Sequence, residues 1–415
     1  MTRHLLRLIW NRRWHNALLI VEIFCSFLVL FGVVLLLVQY ANNYRQPLGY
    51  DISRAWVVEV AVHDADQGPG EGAGHAERFR QLLTGLGELP QVEAVAAGFT
   101  TPYANASWES GMRYQGRQVD YGVNPVTDTF PQVIGLRLIA GRWFGREDDG
   151  AAARPVVVNA RLARDLFGTT DVAGRTVRRD REPGFDRMGA EERARAERDL
   201  RIVGVIEDFR QHGEYSTPMG YMFERIDLHE PDVAAPRTVL IKLQPGTSAA
   251  FEEALVERMH ALAPDWSFEV KPLDQLRREK LRMYLTPLVA VGTVAAFLLV
   301  MVALGLTGVV WQNVTQRSRE IGLRRAKGAT KAGVYRQLLA ELAILASMAL
   351  AVGLVLVAQG PLLPLPRELQ LISGPVFVTA VLLSVLAVYA LTLCAGWYPS
   401  RLAMRVEPAE ALRYE

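Results

Sequence analysis

The stretch LTPLVAVGTVAAFLLVMVALGLTGVVW, residues 285–311, runs for 27 residues without a charged side chain. About 20 consecutive apolar residues suffice for a helix to cross the hydrocarbon core of a bilayer, so this stretch reads as a membrane span. Three other blocks read the same way: residues 17–38, with Glu22 inside; residues 337–358, with Glu341 inside; and residues 375–398, with no charge. The first block is too long for the core of a secretory leader, and Gln39-Tyr40-Ala41-Asn42 is not a small-residue cleavage site. It is expected to stay as an anchor. The expected organisation is a short N-terminus (1–16), a first span (17–38), a large domain (40–284), a second span (285–311), a loop (312–336), a third span (337–358), a short loop (359–374), a fourth span (375–398) and a tail (399–415).

Composition agrees with segregation rather than with a uniform globule. Half of the 415 residues are hydrophobic, 22% are charged, the net charge is +2 and the mean hydropathy is +0.11. Such averages suit a soluble domain, but the apolar residues are gathered in four blocks with the charges between them. This excludes an ordinary soluble enzyme, a disordered chain and a fibrous one. The two cysteines, Cys25 and Cys394, both fall in apolar blocks. A disulfide framework and a cysteine-based zinc site are thereby excluded, and both thiols are expected to be small buried hydrophobes.

Basic residues concentrate on the cytoplasmic side of membrane proteins. Arg3, Arg7, Arg12 and Arg13 precede the first span. Arg317, Arg319, Arg324, Arg325, Lys327, Lys331 and Arg336 lie between the second and third, and Arg401, Arg405 and Arg413 follow the fourth. The loop between spans three and four has Arg367 alone. Both termini are therefore expected in the cytoplasm, with residues 40–284 outside. That segment carries a net charge of −6 against +8 for the rest. Its acidity disfavours nucleic acid as a partner, and topology with anionic membrane lipid accounts for the basic excess.

The outer segment is long enough for its own core and alternates strand and helix patterns. Residues 55–62, 92–99, 112–119, 155–159, 200–205, 238–243 and 267–270 read as strands. Helices are expected over 75–89, with Phe79, Leu82, Leu83 and Leu86 at helical spacing, over 130–138, over 160–167 with Gly168 behind it, and over 248–262. Residues 67–74 form a glycine-rich loop without the Gly-Lys-Ser/Thr ending of a phosphate loop. Residues 180–199 are dense in charge and read as a solvated insertion or a docking surface. Residues 273–283 are amphipathic and run straight into the second span, a stiff connection between the large domain and the membrane. The expected fold class is thus an α-helical membrane domain of four transmembrane helices plus a large mixed α/β domain inserted between helices 1 and 2.

No catalytic constellation emerges. The seven histidines contain no His-Glu-x-x-His pair and the chain no Gly-x-Ser-x-Gly elbow. The acidic pairs Asp148-Asp149 and Glu207-Asp208 are sequence neighbours, which point apart on a strand. No cofactor, metal or catalytic residue is expected in this chain. Two intramembrane carboxylates, Glu22 and Glu341, are costly in hydrocarbon. They read either as snorkelling groups that pair with Arg12, Arg13 or Arg336, or as groups that relay motion. Gly292, Gly305 and Gly308 in the second span suit close helix packing.

The most informative loop is QRSREIGLRRAKGAT, residues 316–330. Ile321, Leu323 and Ala326 are the apolar positions of a short amphipathic helix, Gly328 ends it, and Thr330 is placed to cap the helix of the third span. On physical grounds alone it is either an interfacial helix whose arginines reach the headgroups or a docking element. Here the sequence resembles the FtsX-like permease domain of MacB-type ABC transporters. The large domain adds similar motifs at residues 135–144 (GLRLIAGRWF), 156–168 (VVVNARLARDLFG) and 202–209 (IVGVIEDF), and the tail adds Tyr398-Pro-Ser-Arg and Glu407-Pro-Ala-Glu.

The resemblance implies that Arg317, Arg319, Glu320, Ile321, Gly322, Leu323, Arg324, Arg325, Gly328, Ala329 and Thr330 dock on an ATPase subunit. MacB carries its ATPase on the same chain, whereas no Gly-x-x-x-x-Gly-Lys-Ser/Thr motif occurs here. The expectation is a separate ATPase subunit holding ATP and Mg, a second permease chain (alike or different), and a periplasmic adaptor as a further partner. The expected activity is export by mechanotransmission, of an antibiotic, a peptide or a lipid. A lipoprotein-releasing permease and an FtsX-type regulator of a cell-wall hydrolase share the architecture and remain alternatives.

Overall fold

The computed structural model describes residues 13–62, 72–178, 199–229, 236–316, 323, 330–360 and 373–403. Two compact units result. One is helical and draws on both ends of the chain; the other, Asn43–Tyr284, is built on a sheet. The chain begins with α1 (Arg13–Tyr44), which extends beyond the apolar block at both ends.

The sheet unit opens with β1 (Ala55–Val62), α2 (Gly72–Gly87) and β2 (Val92–Gly98). A hairpin follows, β3 (Glu109–Tyr114) and β4 (Arg117–Val126). The single strand expected over 112–119 is therefore two. Gln115 and Gly116 both have positive φ, 49° and 78°, which is the backbone of the two-residue hairpin turn. Next come α3 (Phe130–Ile134) and β5 (Leu138–Gly141). The helix expected over 130–138 stops early because Gly135 takes the left-handed conformation, and Leu138 starts a strand. Then β6 (Arg154–Asn159) leads into α4 (Ala160–Phe167), followed by β7 (Thr176–Val177), β8 (Leu200–Ile206) and β9 (Gly220–Arg225). The unit closes with β10 (Thr238–Leu243), α5 (Phe251–Leu262) and β11 (Trp266–Pro272). The charge-dense residues 180–198 lie outside the described residues.

These strands form one mixed sheet in the order β11-β1-β10-β2-β4-β9-β6-β8-β5, with β3 on β4 and β7 on β8. Pairings β4·β9 and β6·β8 are parallel and the others antiparallel. The first four strands of that order are two interlocked split βαβ units, β1-α2-β2 and β10-α5-β11. A second lobe is inserted between β2 and β10. Within the sheet the lobes meet at one strand pairing of a single residue pair, Gly98 of β2 with Val126 of β4, and Phe99 N–Pro125 O and Thr127 N–Ala97 O hydrogen bonds flank it.

Strand periodicity sorts the core. Trp56, Val58 and Val60 of β1 and Val239, Ile241 and Leu243 of β10 pack under α2 and α5 with Phe79, Leu82, Leu86, Leu255 and Met259. The alternate residues Ala55, Val57 and Leu240 face the opposite side, in a cluster with Phe130, Phe209, Tyr221, Phe223 and Leu273. Because β10 is covered on both faces, all six of its residues are buried, and it reads as a continuous apolar run. In the second lobe, α4 lays Leu162, Ala163 and Leu166 on Val156, Val158, Ile202 and Val205.

The helical unit is completed by α6 (Leu273–Gln316), α7 (Lys331–Ala358) and α8 (Gly374–Ala403). Four helices are long and apolar enough to cross a membrane among the described residues. Their shared core holds Leu19, Ile23 and Phe27 of α1, Leu306 of α6, Ala346, Ala349 and Leu350 of α7, and Val388 and Ala395 of α8. Small residues set the closest approaches, and of the three glycines expected to do so Gly305 does while Gly292 and Gly308 do not. A Cβ on Gly292 or Gly308 would meet nothing within 4 Å, whereas one on Gly353 would sit 2.5 Å from Phe27 and one on Gly396 2.3 Å from Leu342. The cysteines also depart from expectation. Cys25 and Cys394 are exposed on the outer faces of α1 and α8, because the helix faces that meet the core are filled by Ile23, Phe27 and Ala395.

Candidate coupling site

Of the loop residues singled out in the sequence, Arg317, Arg319, Glu320, Ile321, Gly322, Arg324, Arg325, Gly328 and Ala329 lie outside the described residues. Leu323 is helical and exposed. Thr330 is the N-cap of α7: its backbone is extended and its hydroxyl accepts a hydrogen bond from Gly333 N at 3.2 Å. That bond satisfies one of the amide donors a helix start leaves open, and it fixes where the loop ends and the third span begins.

The two intramembrane carboxylates occupy different settings. Glu22 on α1 reaches Gly305 of α6, where a Cβ would fall 2.3 Å from its Oε1. Gly305 is thus the vacancy into which the Glu22 carboxylate fits. Glu341 on α7 accepts a hydrogen bond from Gln337 Nε2, one turn earlier, at 3.4 Å.

Sequence reasoning missed a polar network at the base of the sheet unit, formed by residues 209–217. Arg210 is 2% exposed. Its guanidinium donates to the carbonyl oxygens of Asn43 (2.6 Å) and Gln46 (3.2 Å), and to those of Glu214 and Ser216. Burial lowers its pKa, with Tyr50 and Glu214 opposing that effect. Glu214, also buried, accepts from Arg277 Nε at 2.6 Å and from the Tyr103 hydroxyl at 3.4 Å. Burial holds the Tyr103 phenol up at about 12 and raises Tyr50 as well, so both hydroxyls stay neutral donors. Tyr50 donates to the Arg210 carbonyl at 3.1 Å. Gln211 fastens the same segment to the core, donating to Thr100 Oγ1 (2.5 Å) and Ala106 O (2.9 Å) and accepting from the Tyr221 hydroxyl (2.9 Å). No periodic signal marks such a loop; the only trace in the sequence is a polar run directly after the IVGVIEDF motif.

A cleft of about 590 Å³ lies elsewhere in this unit, between α2, the ends of β2 and β9, and residues 146–149. Several of its charged side chains pair with one another. Arg225 binds Asp128 in a fork (2.8 and 2.9 Å) and also Asp149 (2.5 Å), and His229 contacts Asp227 at 3.0 Å. No group of three or more potential metal ligands occurs among the described residues.

Residues 28–258 match the family model of the MacB-like periplasmic core domain, and residues 292–408 that of the FtsX-like permease C-terminal region. The chain is 25% identical over 326 residues to the uncharacterized ABC transporter permease YknZ of Bacillus subtilis, covering 77% of this chain and 76% of that one. It is 25% identical over 315 residues to the macrolide export ATP-binding/permease protein MacB of Hahella chejuensis, covering 73% of this chain but 44% of that one. It therefore spans less than half the length of that MacB relative. Among solved structures, the periplasmic region of MacB from Actinobacillus actinomycetemcomitans aligns at 12% identity and a TM-score of 0.38, over 55% of this chain and 93% of that one.

Proposed function

We propose a function for a chain that belongs to the MacB-like, FtsX-like family of ABC transporter permeases: it is the membrane subunit that converts ATP hydrolysis by a partner into motion of its large domain. The observation that carries this reading is α6. One helix, Leu273–Gln316, contributes Leu273 and Leu276 to the core of the sheet unit and then continues as the second span. A displacement at the end of that span has a covalent, helical route into the sheet unit, and shifts of packed helices are one way switching motions are carried. Among the described residues the shared core of the spans is mainly aliphatic and aromatic, and its buried Ser26, Ser384 and Thr392 hydroxyls donate to carbonyls of their own helices. Work on a substrate would then be done by the large domain rather than through the membrane.

In this reading residues 317–330 dock on the ATPase subunit, which holds ATP and Mg; the phosphate chemistry belongs to that subunit. Glu320 supplies an acidic and Arg324 a basic contact, and the Thr330 cap links the docking segment to α7. Two permease chains flank two ATPase subunits, with both termini cytoplasmic and the sheet unit on the far side of the inner membrane. The cargo is an antibiotic, a peptide or a lipid, in keeping with the macrolide export for which the MacB relative is named, and a periplasmic adaptor completes the route.

The test is co-purification from mild detergent with the ATPase activity of the eluate measured. Wild type is compared with Glu320→Ala/Arg324→Ala, and both are checked for folding by thermal melting. Co-purification with wild type and its loss or uncoupling in the variant supports the reading. A folded wild-type chain that brings no ATPase with it overturns the reading.

A further inference from the structure

We infer that residues 210–215 form a strap that binds the two stems of the sheet unit into one moving part. The stems are the end of α1 with its continuation to Gln46, and residues 273–284 of α6. The strap's role in coupling rests on the transporter reading, but its existence does not.

Each stem is tied to the strap by its own set of contacts. On the first stem, Arg210 donates to Asn43 O and Gln46 O, and the Asn43 amide donates to Tyr215 O at 2.9 Å. The Tyr44 ring stacks on Tyr215 with centroids 5.8 Å apart. On the second stem, Arg277 binds Glu214, and the Tyr284 and Tyr215 ring centroids lie 6.3 Å apart, so Tyr215 meets aromatic rings of both stems. The residues that reach the two stems are thus at most five positions apart in one short loop.

The chemistry is directional. The last carbonyls of a helix have no partner within the helix and carry the negative end of its dipole. No basic residue lies in the last turn of α1. Arg210, remote in sequence, supplies the missing cation, and its charge is buried against carbonyls from the first stem and from the strap itself. A guanidinium so placed holds its geometry because every displaced carbonyl leaves a buried donor unmet. Glu214 then answers from the next turn of the loop by fixing Arg277. If the two spans are driven differently, the strap converts their separate displacements into a common one before it reaches the sheet.

The test measures the distance between stems in the full-length chain. In a Cys25→Ser/Cys394→Ser background, spin labels are placed at Arg45→Cys and Arg282→Cys, both exposed positions, and the separation is read by pulsed electron paramagnetic resonance. The expected result is one narrow distribution, retained in Tyr215→Phe, which keeps the ring, and lost in Tyr215→Ala/Glu214→Gln, while the melting temperature of the sheet unit stays near that of wild type. A distribution as narrow in the double variant as in wild type overturns the strap. So does a broad distribution in wild type, or equal broadening in Tyr215→Phe. All of this is measured without an ATPase subunit, so failure of the transporter reading leaves the result standing, and failure of the strap leaves the co-purification standing. In the assembled complex, the double variant is expected to hydrolyse ATP while its stem distance changes with nucleotide, where that of wild type does not.

Discussion

Gly49 offers the sharpest quantitative test of the base of the sheet unit. Its φ is +85°, and a Cβ built on it would lie 1.5 Å from the carbonyl oxygen of Asp208. That obstacle is backbone and cannot rotate away. Two residues on, Arg210 N donates to Leu48 O at 3.2 Å, and Phe209 between them is buried against Tyr50, Tyr221 and Phe223. Gly49→Ala therefore has three costs. The left-handed backbone costs a side-chain-bearing residue about 1 kcal/mol. Forcing the two segments apart is overpacking, about 1–3 kcal/mol. Losing the Arg210–Leu48 bond adds about 1 kcal/mol.

Gly116 is the control. Its φ is +78°, and a Cβ there would meet nothing within 4 Å, so Gly116→Ala carries the first cost alone. For a unit of this size about 1 kcal/mol moves the melting temperature by about 2–4 °C. Gly116→Ala should then lose a few degrees, and Gly49→Ala about 6–20 °C on the same scale. The assay is thermal melting of the full-length protein in detergent, followed by intrinsic fluorescence. Equal losses in the two variants would refute the close approach of residues 49 and 208.

Three further outcomes follow from other parts of the fold. Asn159 is fully buried, caps α4 by accepting from Leu162 N at 3.0 Å, accepts from Tyr221 N at 2.8 Å and donates to Met219 O at 3.0 Å; Asn159→Ala should destabilise by about 2–4 kcal/mol through a lost cap and orphaned buried groups, seen as a lower melting temperature with fast hydrogen exchange at Leu162 and Tyr221. In the helical unit, Gly353→Ala should lower the melting temperature because its Cβ meets the buried Phe27 ring, whereas Gly292→Ala, with open space around it, should be neutral or stabilising by up to about 1 kcal/mol from helix propensity; the reverse order would contradict the packing of α1 on α7. The Arg142 guanidinium, by hydrogen bonding, holds the Asp148 carboxyl below its ordinary 3.8. A depressed carboxylate stabilises the fold above the unfolded pKa and loses that contribution as pH falls through the folded one. The stability gap between wild type and Arg142→Gln should therefore be constant above about pH 5 and close progressively as the pH is lowered further, in melts taken across that range.

How much of this was legible depends on the range of the interaction that sets each element. The four spans follow from run length, a property of consecutive residues, and the βα units follow from periods of 2 and 3.6. Asn159 and Gly168 bracket α4 as cap and terminator, which is again local chemistry, and the structure places that helix at the expected residues. The hairpin at Gln115-Gly116 was hidden because its first turn residue is a glutamine in a conformation that favours glycine. The helix expected over 130–138 overruns Gly135 and takes in the first residue of β5 because Leu136 and Leu138 continue the apolar spacing. The strap could not be read at all: Arg210 meets Asn43 across 167 residues, and no window along the chain contains both.

The motifs that carried the family resemblance show the same division from the other side. Gly141 of GLRLIAGRWF and Gly204 of IVGVIEDF are partners across β5 and β8. A Cβ on Gly141 would lie 2.2 Å from Val203 O, and one on Gly204 2.0 Å from Arg142 O. Each glycine is there because the other strand's backbone passes where its side chain would be. Two stretches whose paired glycines are 63 residues apart in the sequence are therefore halves of one contact. A resemblance recognised in both at once carries three-dimensional information that neither stretch holds by its own pattern. That is why a mixed α/β domain was accessible through the motifs while its division into two lobes and the pairing of its strands were not accessible through periodicity.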